Sequence, residues 1–272
     1  MSAVTIHRLD ERPDLIDRVY EVDFTWPGFM AKDPVANALF WQVAGAFPHL
    51  CAAATDAGGA VVATARALAF TLGLPDRGDL PDGGLDRVAI WAFNDRLAGR
   101  VPDIASAVEI VVATAYQGSG LSRRMLAALR NAARGAGLSR LVAPVRPNGK
   151  HQYPQMPMST YITMTREDGL PADPWLRVHV RAGGQILRVA PASMVMAGSV
   201  AQWRAWTGLP FDQSGDVIVP GALVPCTATS NTTTPSTWSR TSGSSTTLPS
   251  RIPILGDHPS VPPAHRISRG RG

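Results

Sequence analysis

The sequence predicts an α/β (α+β) fold, a central sheet flanked by helices and followed by a C-terminal extension, on three observations. First, the strand-like run Val108–Val112 passes through Tyr116 into a glycine turn, Gln117-Gly118-Ser119-Gly120, that opens directly into a helix. That helix carries Leu121, Met125, Leu129 and Ala132 or Ala133 at helical spacing. Second, His49–Ala57 and Ala60–Leu72 flank Gly58-Gly59, the pattern of a two-residue hairpin. Third, the composition changes abruptly at Cys226, after which 16 of residues 226–250 are Ser or Thr and the end is rich in Pro and Arg. This divides the chain into a folded unit over residues 1–225 and a disordered tail over 226–272. A second reading of the tail takes it as shifted in frame at or just before Cys226. Back-translated and read two nucleotides along, Thr227–Leu248 can yield an Asp/His-rich, strand-like segment.

Taken in order, Val4–Leu9 alternates like an opening strand, and Pro13–Trp26 reads as a helix with proline in its first turn. Asp33-Pro34 caps a second helix running to Val43. After the hairpin, residues 74–104 form a longer connection than the usual 4–6 residues, with a helix over Leu85–Leu97. It reads equally as one wall of a pocket or as a surface excursion. Leu138–Val145 is the next strand, ending at Arg146-Pro147-Asn148, and Asp173-Pro174 caps a helix over Trp175–Ala182 that Gly183-Gly184 stops. Gln185–Val189 resumes as a strand, Ser199–Thr207 is a helix ended by Gly208, and Asp216–Val224 is a further strand.

Composition narrows the function classes. The 272 residues are 45% hydrophobic, enough for a substantial core. The two cysteines, Cys51 and Cys226, share no motif and no His/Cys cluster suggests a metal, as in a reduced cytoplasmic protein. The N-terminal residues are charged and no run reaches the roughly 20 apolar residues of a membrane span, so neither a signal peptide nor a membrane is expected. Five arginines and one acid fall in residues 226–272, leaving 21 basic and 20 acidic residues in the rest, so the basic balance belongs to the tail. Nucleic acid is not an expected partner.

The glycine turn carries the chemistry. Glycines let the backbone come close to an anion, and the first N–H groups of a helix have no partner within it, so a strand, glycine turn and helix start make a phosphate site. Arg123 and Arg124 add charge in the first helical turn. The spacing fits neither GxxxxGK[ST] nor GxGxxG with a downstream acid. It resembles motif A of the GNAT acyltransferase superfamily, [QR]-x-x-G-x-[GA], with Gln117, Gly120 and Ser122 on the motif positions. Ser122 replaces the usual Gly or Ala, and in the lead-in V-x-P-x-Y, here residues 112–116, Thr114 replaces the proline. The element order is also that of the GNAT fold, and the resemblance spans roughly residues 3–192.

The resemblance implies a GNAT-like central mixed, mostly antiparallel sheet, with acetyl-CoA as acyl-donor co-substrate and no metal. It implies that Gln117, Gly118, Ser119, Gly120, Leu121, Ser122 and Arg123 hold the pyrophosphate and Asn148 contacts the pantetheine arm. It further implies that the backbone of Ile110, Val111 and Val112 faces the thioester carbonyl. Glu109 is the candidate general base, and equally a solvent-facing strand-end carboxylate. His179 stands four residues before Gly183, where the family tyrosine usually sits, and is the candidate general acid or else a helix-surface histidine. His151 and Tyr161 are reserves. The expected activity is transfer of an acyl group, acetyl above all, from acyl-CoA to the amine of a small-molecule acceptor. The alternatives are a non-catalytic CoA-thioester-binding module and an interaction protein working through its Arg-rich tail. A homodimer is left open.

Overall fold

The computed structural model describes residues 3–23, 26–229, 238–241 and 252–253, the last two segments by backbone alone. Most of the expected tail, and with it most of the frame-shifted reading, lies outside the described residues.

The chain opens with β1 (Thr5–Arg8), then α1 (Pro34–Leu39) and α2 (Val43–Ala46), and turns back through the hairpin β2 (Ala52–Thr55) and β3 (Val61–Phe70). α3 (Gly84–Leu97), β4 (Ile104–Val112), α4 (Leu121–Gly135) and β5 (Arg140–Val142) complete the main layer. α5 (Met158–Tyr161) and α6 (Pro174–Arg181) follow, then β6 (Met196–Ser199), α7 (Val200–Thr207), β7 (Gly215–Val217) and β8 (Cys226–Ala228). Two strands known by backbone, β9 (Trp238–Thr241) and β10 (Ile252–Pro253), end the described part. The main sheet has the order β1-β2-β3-β4-β5-β10. Its pairs are antiparallel except β4 with β5, which is the mixed, mostly antiparallel sheet expected.

Local chemistry explains these elements. Asp33 accepts from the N–H groups of Val35 and Ala36 at 2.9 Å, so α1 starts where the Asp-Pro pair says it should. In the hairpin, Asp56 accepts from Gly58 and Ala60 while Gly59 takes φ of 80°, a conformation glycine reaches without strain. β3 is buried along nearly its whole length, with Thr64, Arg66, Leu68 and Phe70 on one face. Phe70 meets Trp91 of α3 at 6.0 Å, so α3 covers that face. α4 buries Leu121, Met125, Leu126, Leu129, Ala132 and Ala133, the stripe its spacing foretold.

Four expectations change. Pro13–Trp26 is two short 3-10 turns, Pro13–Leu15 and Arg18–Tyr20, not a helix. Arg18 donates to the Gly59 carbonyl at 2.9 Å and Tyr20 to the Trp41 carbonyl at 2.7 Å, contacts that fit turns tied to their neighbours. Leu138–Val145 narrows to the three residues of β5, and the chain beyond it runs on unpaired. Gln185–Val189 forms no strand among the described residues, only a single bridge position at Ile186. Arg188 donates to Asp82 at 2.8 Å and Ala192 to the Asp82 carbonyl at 3.0 Å, so this stretch docks on the loop before α3. Asp216–Val224 stops as a strand at Val217, because Pro220 lacks an N–H and Gly221 turns with φ of 82°.

Val219, Ala222 and Leu223 are nonetheless buried. Val219 and Ala222 join Phe29, Met30, Met196, Trp203, Phe211, Cys226 and Ala228 in a second, smaller core. β7 pairs with β8 through Asp216↔Thr227, so a strand begins at the residue where the tail was expected to start. Among the described residues, no helix is long and apolar enough to cross a membrane.

Candidate active site

The site begins with an irregularity in β4. Arg66 of β3 faces Glu109, but Ala67 faces Ala107, so Val108 is an extra residue and β4 is bulged there. A bulge bends its strand and re-aims nearby side chains. β5 pairs with β4 only at Ala105↔Leu141 and Ser106↔Val142. Beyond that point β4 keeps its pairing with β3 alone, and its other edge opens. Ala107–Val112 on one side and Ala143–Arg146 on the other line a cleft of about 760 Å³.

Glu109 faces this cleft and is held by Arg66. Nε donates to Oε1 at 3.1 Å and Nη2 donates to the same oxygen, which leaves Oε2 as the oxygen Arg66 does not engage. Arg66 also donates to the Phe40 carbonyl at 2.6 Å and lies 4.7 Å from the centre of the Tyr20 ring. Burial works against the Arg66 charge, but Glu109 outweighs it and keeps the guanidinium above its ordinary pKa. Two residues back along β3, Thr64 Oγ1 is buried without a partner among the described residues, and Thr64 lines the cleft.

The anion end is backbone. Gly118 and Gly120 have φ of 74° and 80°, left-handed values that other residues adopt only with strain. Gly120 is the N-cap of α4, and no side chain caps that helix. The N–H groups of the first turn are therefore free to meet an anion, and the helix dipole adds to the attraction. Gln117 donates to the Val112 carbonyl at 3.3 Å, bracing the turn against the end of β4.

Asn148 also lines the cleft, and Asp173 fixes its loop. Asp173 Oδ1 accepts from the N–H groups of Trp175 and Leu176, capping α6. Its Oδ2 accepts from Gly149 N–H at 2.8 Å and from the Tyr161 hydroxyl at 2.9 Å. α6 then presents Trp175 and His179 to the cleft, their rings edge to face at 4.9 Å. His179 is only 4% exposed, and burial pulls its pKa down to about 4.

Of the residues expected from sequence, Glu109, Ile110, Val111, Val112, Gln117, Gly118, Gly120, Leu121, Ser122, Asn148 and His179 line one cleft. Ser119 and Arg123 are not among its walls. The Ser119 hydroxyl donates to the Tyr116 carbonyl at 2.5 Å, and Arg123 is exposed. Arg124 donates to the Val4 carbonyl at 2.8 Å, which draws it toward β1. Neither reserve lines the cleft: His151 is exposed, and Tyr161 is buried against Asp173, where burial raises its pKa. From the long connection 74–104 only Leu85 reaches the cleft, while Trp91 packs on Phe70.

Sequence reasoning missed the opposite wall. Tyr20, Trp26, Met30, Ala36, Asn37, Phe40 and Trp41 come from the chain before β2 and line the same cleft. Trp41 remains 60% exposed, its ring tilted against that of Tyr20 with centres 5.1 Å apart. It also missed Arg66, although a lone arginine in the apolar run VVATARALAF is a signal, since a buried charge needs a partner. At the base of this wall Asp33 and Asp86 are close enough to share a proton. Asp33 Oδ2 and Asp86 Oδ1 have no other partner among the described residues, and burial and Asp33 push Asp86 up to about 8.

No family model matches the chain. Its fold is similar to that of the loading GNATL domain of CurA from Lyngbya majuscula. The TM-score is 0.53 at 18% identity, over 71% of this chain and 94% of that one. The GphF GNAT-like decarboxylase, solved with isobutyryl-CoA, aligns with a TM-score of 0.44 at 17% identity, over 71% and 95% of the two chains. In sequence, the chain is 30% identical over 246 residues to the arginine N-acetyltransferase avaD of Aspergillus versicolor, covering 79% of this chain and 83% of that protein. With the parted strands and the uncapped glycine turn in one cleft, that relationship places the chain in the GNAT superfamily of acyl-CoA-dependent N-acyltransferases.

Proposed function

We propose that the protein transfers an acetyl group from acetyl-CoA to the amine of a small cationic acceptor of the arginine kind. The observation that carries this reading is the single cleft in which an anion-binding turn, a parted strand edge and a carboxylate meet. The avaD relative supports the acceptor class, because its name specifies arginine.

In this reading the amine nitrogen attacks the thioester carbonyl carbon. A C–N bond forms, the C–S bond breaks, and one proton leaves the amine while one reaches the departing thiolate. The N–H groups of Gly118–Ser122 hold the pyrophosphate and Asn148 steadies the pantetheine arm. The open edge of β4 at Ile110–Val112 supplies backbone donors for the developing oxyanion, where preorganised dipoles are most effective. Glu109 Oε2 draws the ammonium in and takes its proton, directly or through water. Arg66 orients that carboxylate. His179, neutral at ordinary pH because it is buried, serves the thiolate as an N–H donor and not as an imidazolium. The exposed face of Trp41 suits a cationic acceptor.

The test is release of free thiol from acetyl-CoA when amines are offered singly, arginine among them. Turnover with at least one amine is expected, and Glu109→Gln should lower kcat about 100-fold while leaving acetyl-CoA affinity unchanged. Saturable CoA binding with no thiol release for any amine would favour the non-catalytic reading. No CoA binding at all would remove both.

A further inference from the structure

Arg146 closes the extended stretch after β5 and lies on the acceptor side of the cleft, against residues that precede β2. Its guanidinium carbon is 5.7 Å from the centre of the Trp26 ring. Phe29, Met30, Met194 and Met196 share a small apolar cavity with it. Nη2 donates to the Gly221 carbonyl, which uses one of five guanidinium N–H donors.

Arg146 has a carbonyl and a ring against it, but no anion. Two arginines that are more deeply buried each face an acid, Arg66 with Glu109 and Arg77 with Asp95 at 2.7 Å. Among the described residues no carboxylate lies within ion-pair distance of Arg146. Burial accordingly pulls its pKa down to about 10, with no charged neighbour opposing the shift. A half-buried cation without a partner is unfavourable, and an anion from outside relieves it.

The source of that anion follows from position. The phosphates of CoA have their own donors at the start of α4, and Arg146 sits with Trp26, Phe29 and Met30 instead. Among the described residues, Glu109 is the only carboxylate lining the same cleft, and it is suited to an ammonium. A cleft with one accessible carboxylate and one unpaired guanidinium matches a zwitterion. We propose that Arg146 binds the carboxylate of the acceptor, so that the substrate class is free amino acids and not simple amines or amidated peptides. A planar guanidinium meets a carboxylate with two parallel N–H donors, a geometry that Lys or Gln does not reproduce.

This inference rests on the reading that the cleft takes an amine acceptor, and binding heat tests it without any turnover. L-Arginine, L-ornithine and L-lysine are titrated into the full chain saturated with CoA, each beside its decarboxylated counterpart (agmatine, putrescine, cadaverine). At least one amino acid should bind tenfold or more tightly than its counterpart. Arg146→Gln should remove that preference and leave the affinity of the decarboxylated amine unchanged. Equal affinities in the wild type, no binding by any amino acid, or an equal loss for both members of a pair in the variant would each overturn the proposal. If Arg146→Gln does not fold, the wild-type comparison with argininamide decides alone: amide binding as tight as acid binding overturns it. Selective binding of an amino acid without thiol release would instead count against transfer and leave the role of Arg146 standing.

Discussion

The two ends of the cleft are built from different materials. At the end proposed for the acyl donor, one continuous segment lines the cleft: β4, the turn at Gln117–Gly120 and the first turn of α4, with uncapped backbone N–H groups at the start of that helix. At the acceptor end, side chains arrive from separate segments, with Tyr20, Trp26 and Trp41 before β2, Arg66 on β3 and Arg146 after β5. A backbone site depends on φ and on where a helix starts. On the proposed reading it should therefore accommodate Ser122 and Thr114 in place of the usual residues. A side-chain site depends on how distant segments pack, so it can change its ligand while the fold stays the same.

The largest effect is expected at the donor end. Gly120→Glu puts a side chain at φ of 80° and a negative charge at the uncapped start of α4, where the proposed reading seats the pyrophosphate. Acetyl-CoA affinity should fall at least 100-fold by calorimetry, while amino-acid binding without CoA changes little. If both ligands weaken together, the two ends are not the separate units that their construction implies.

That contrast also sets what could be read in the sequence. Gln117, Gly118, Gly120 and the stripe Leu121, Met125, Leu129 are close in the chain, so spacing alone brought the donor end into view. Asp33-Pro34 and Asp173-Pro174 foretold helix starts because a cap is a contact over two or three residues. The bulge at Val108 left no trace, because it is visible only in the register against β3. The acceptor wall depends on Tyr20 lying beside Arg66 and on Trp26 lying beside Arg146, contacts across 46 and 120 positions that no local pattern encodes. Where an expectation narrowed, as at Gln185–Val189, a long-range tie such as Arg188 to Asp82 holds the stretch, and alternation alone does not encode it.

His179 stands between the two ends, and its burial makes a measurable claim. A histidine in the unfolded chain takes up a proton near pH 6.5, whereas the folded one stays neutral down to about pH 4. Between those values the unfolded state binds more protons, so stability falls as the pH is lowered from 6.5 to 4 and levels off below. The window allows at most about 3 kcal/mol. Denaturant unfolding at several pH values should show wild type losing stability through this range and His179→Phe losing less. Parallel curves would mean that His179 is not held neutral by the fold.

The smallest effect is expected at the root of the acceptor wall, where it tests whether that wall hangs on long-range contacts. Asp33 caps α1, the helix that carries Ala36 and Asn37 into the cleft, while Asp86 of α3 accepts from Val195 N–H at 3.2 Å. Asp86 keeps its proton to about pH 8, whereas an unfolded aspartate loses it near 4. The folded state thus binds the extra proton, and the stability that proton supports is present below pH 4 and declines as the pH rises to 8. Asp86→Asn keeps an acceptor for Val195 and gives Asp33 a permanent N–H donor. It should raise the melting temperature by roughly 2–4 °C at pH 8, about 1 kcal/mol for a chain of this size, and by nothing at pH 5. An equal gain at both pH values would show that the two carboxylates do not share a proton. A gain at pH 8 together with tighter acceptor binding would show that the wall is set by this pair, since Asp86 touches neither the glycine turn nor the cleft.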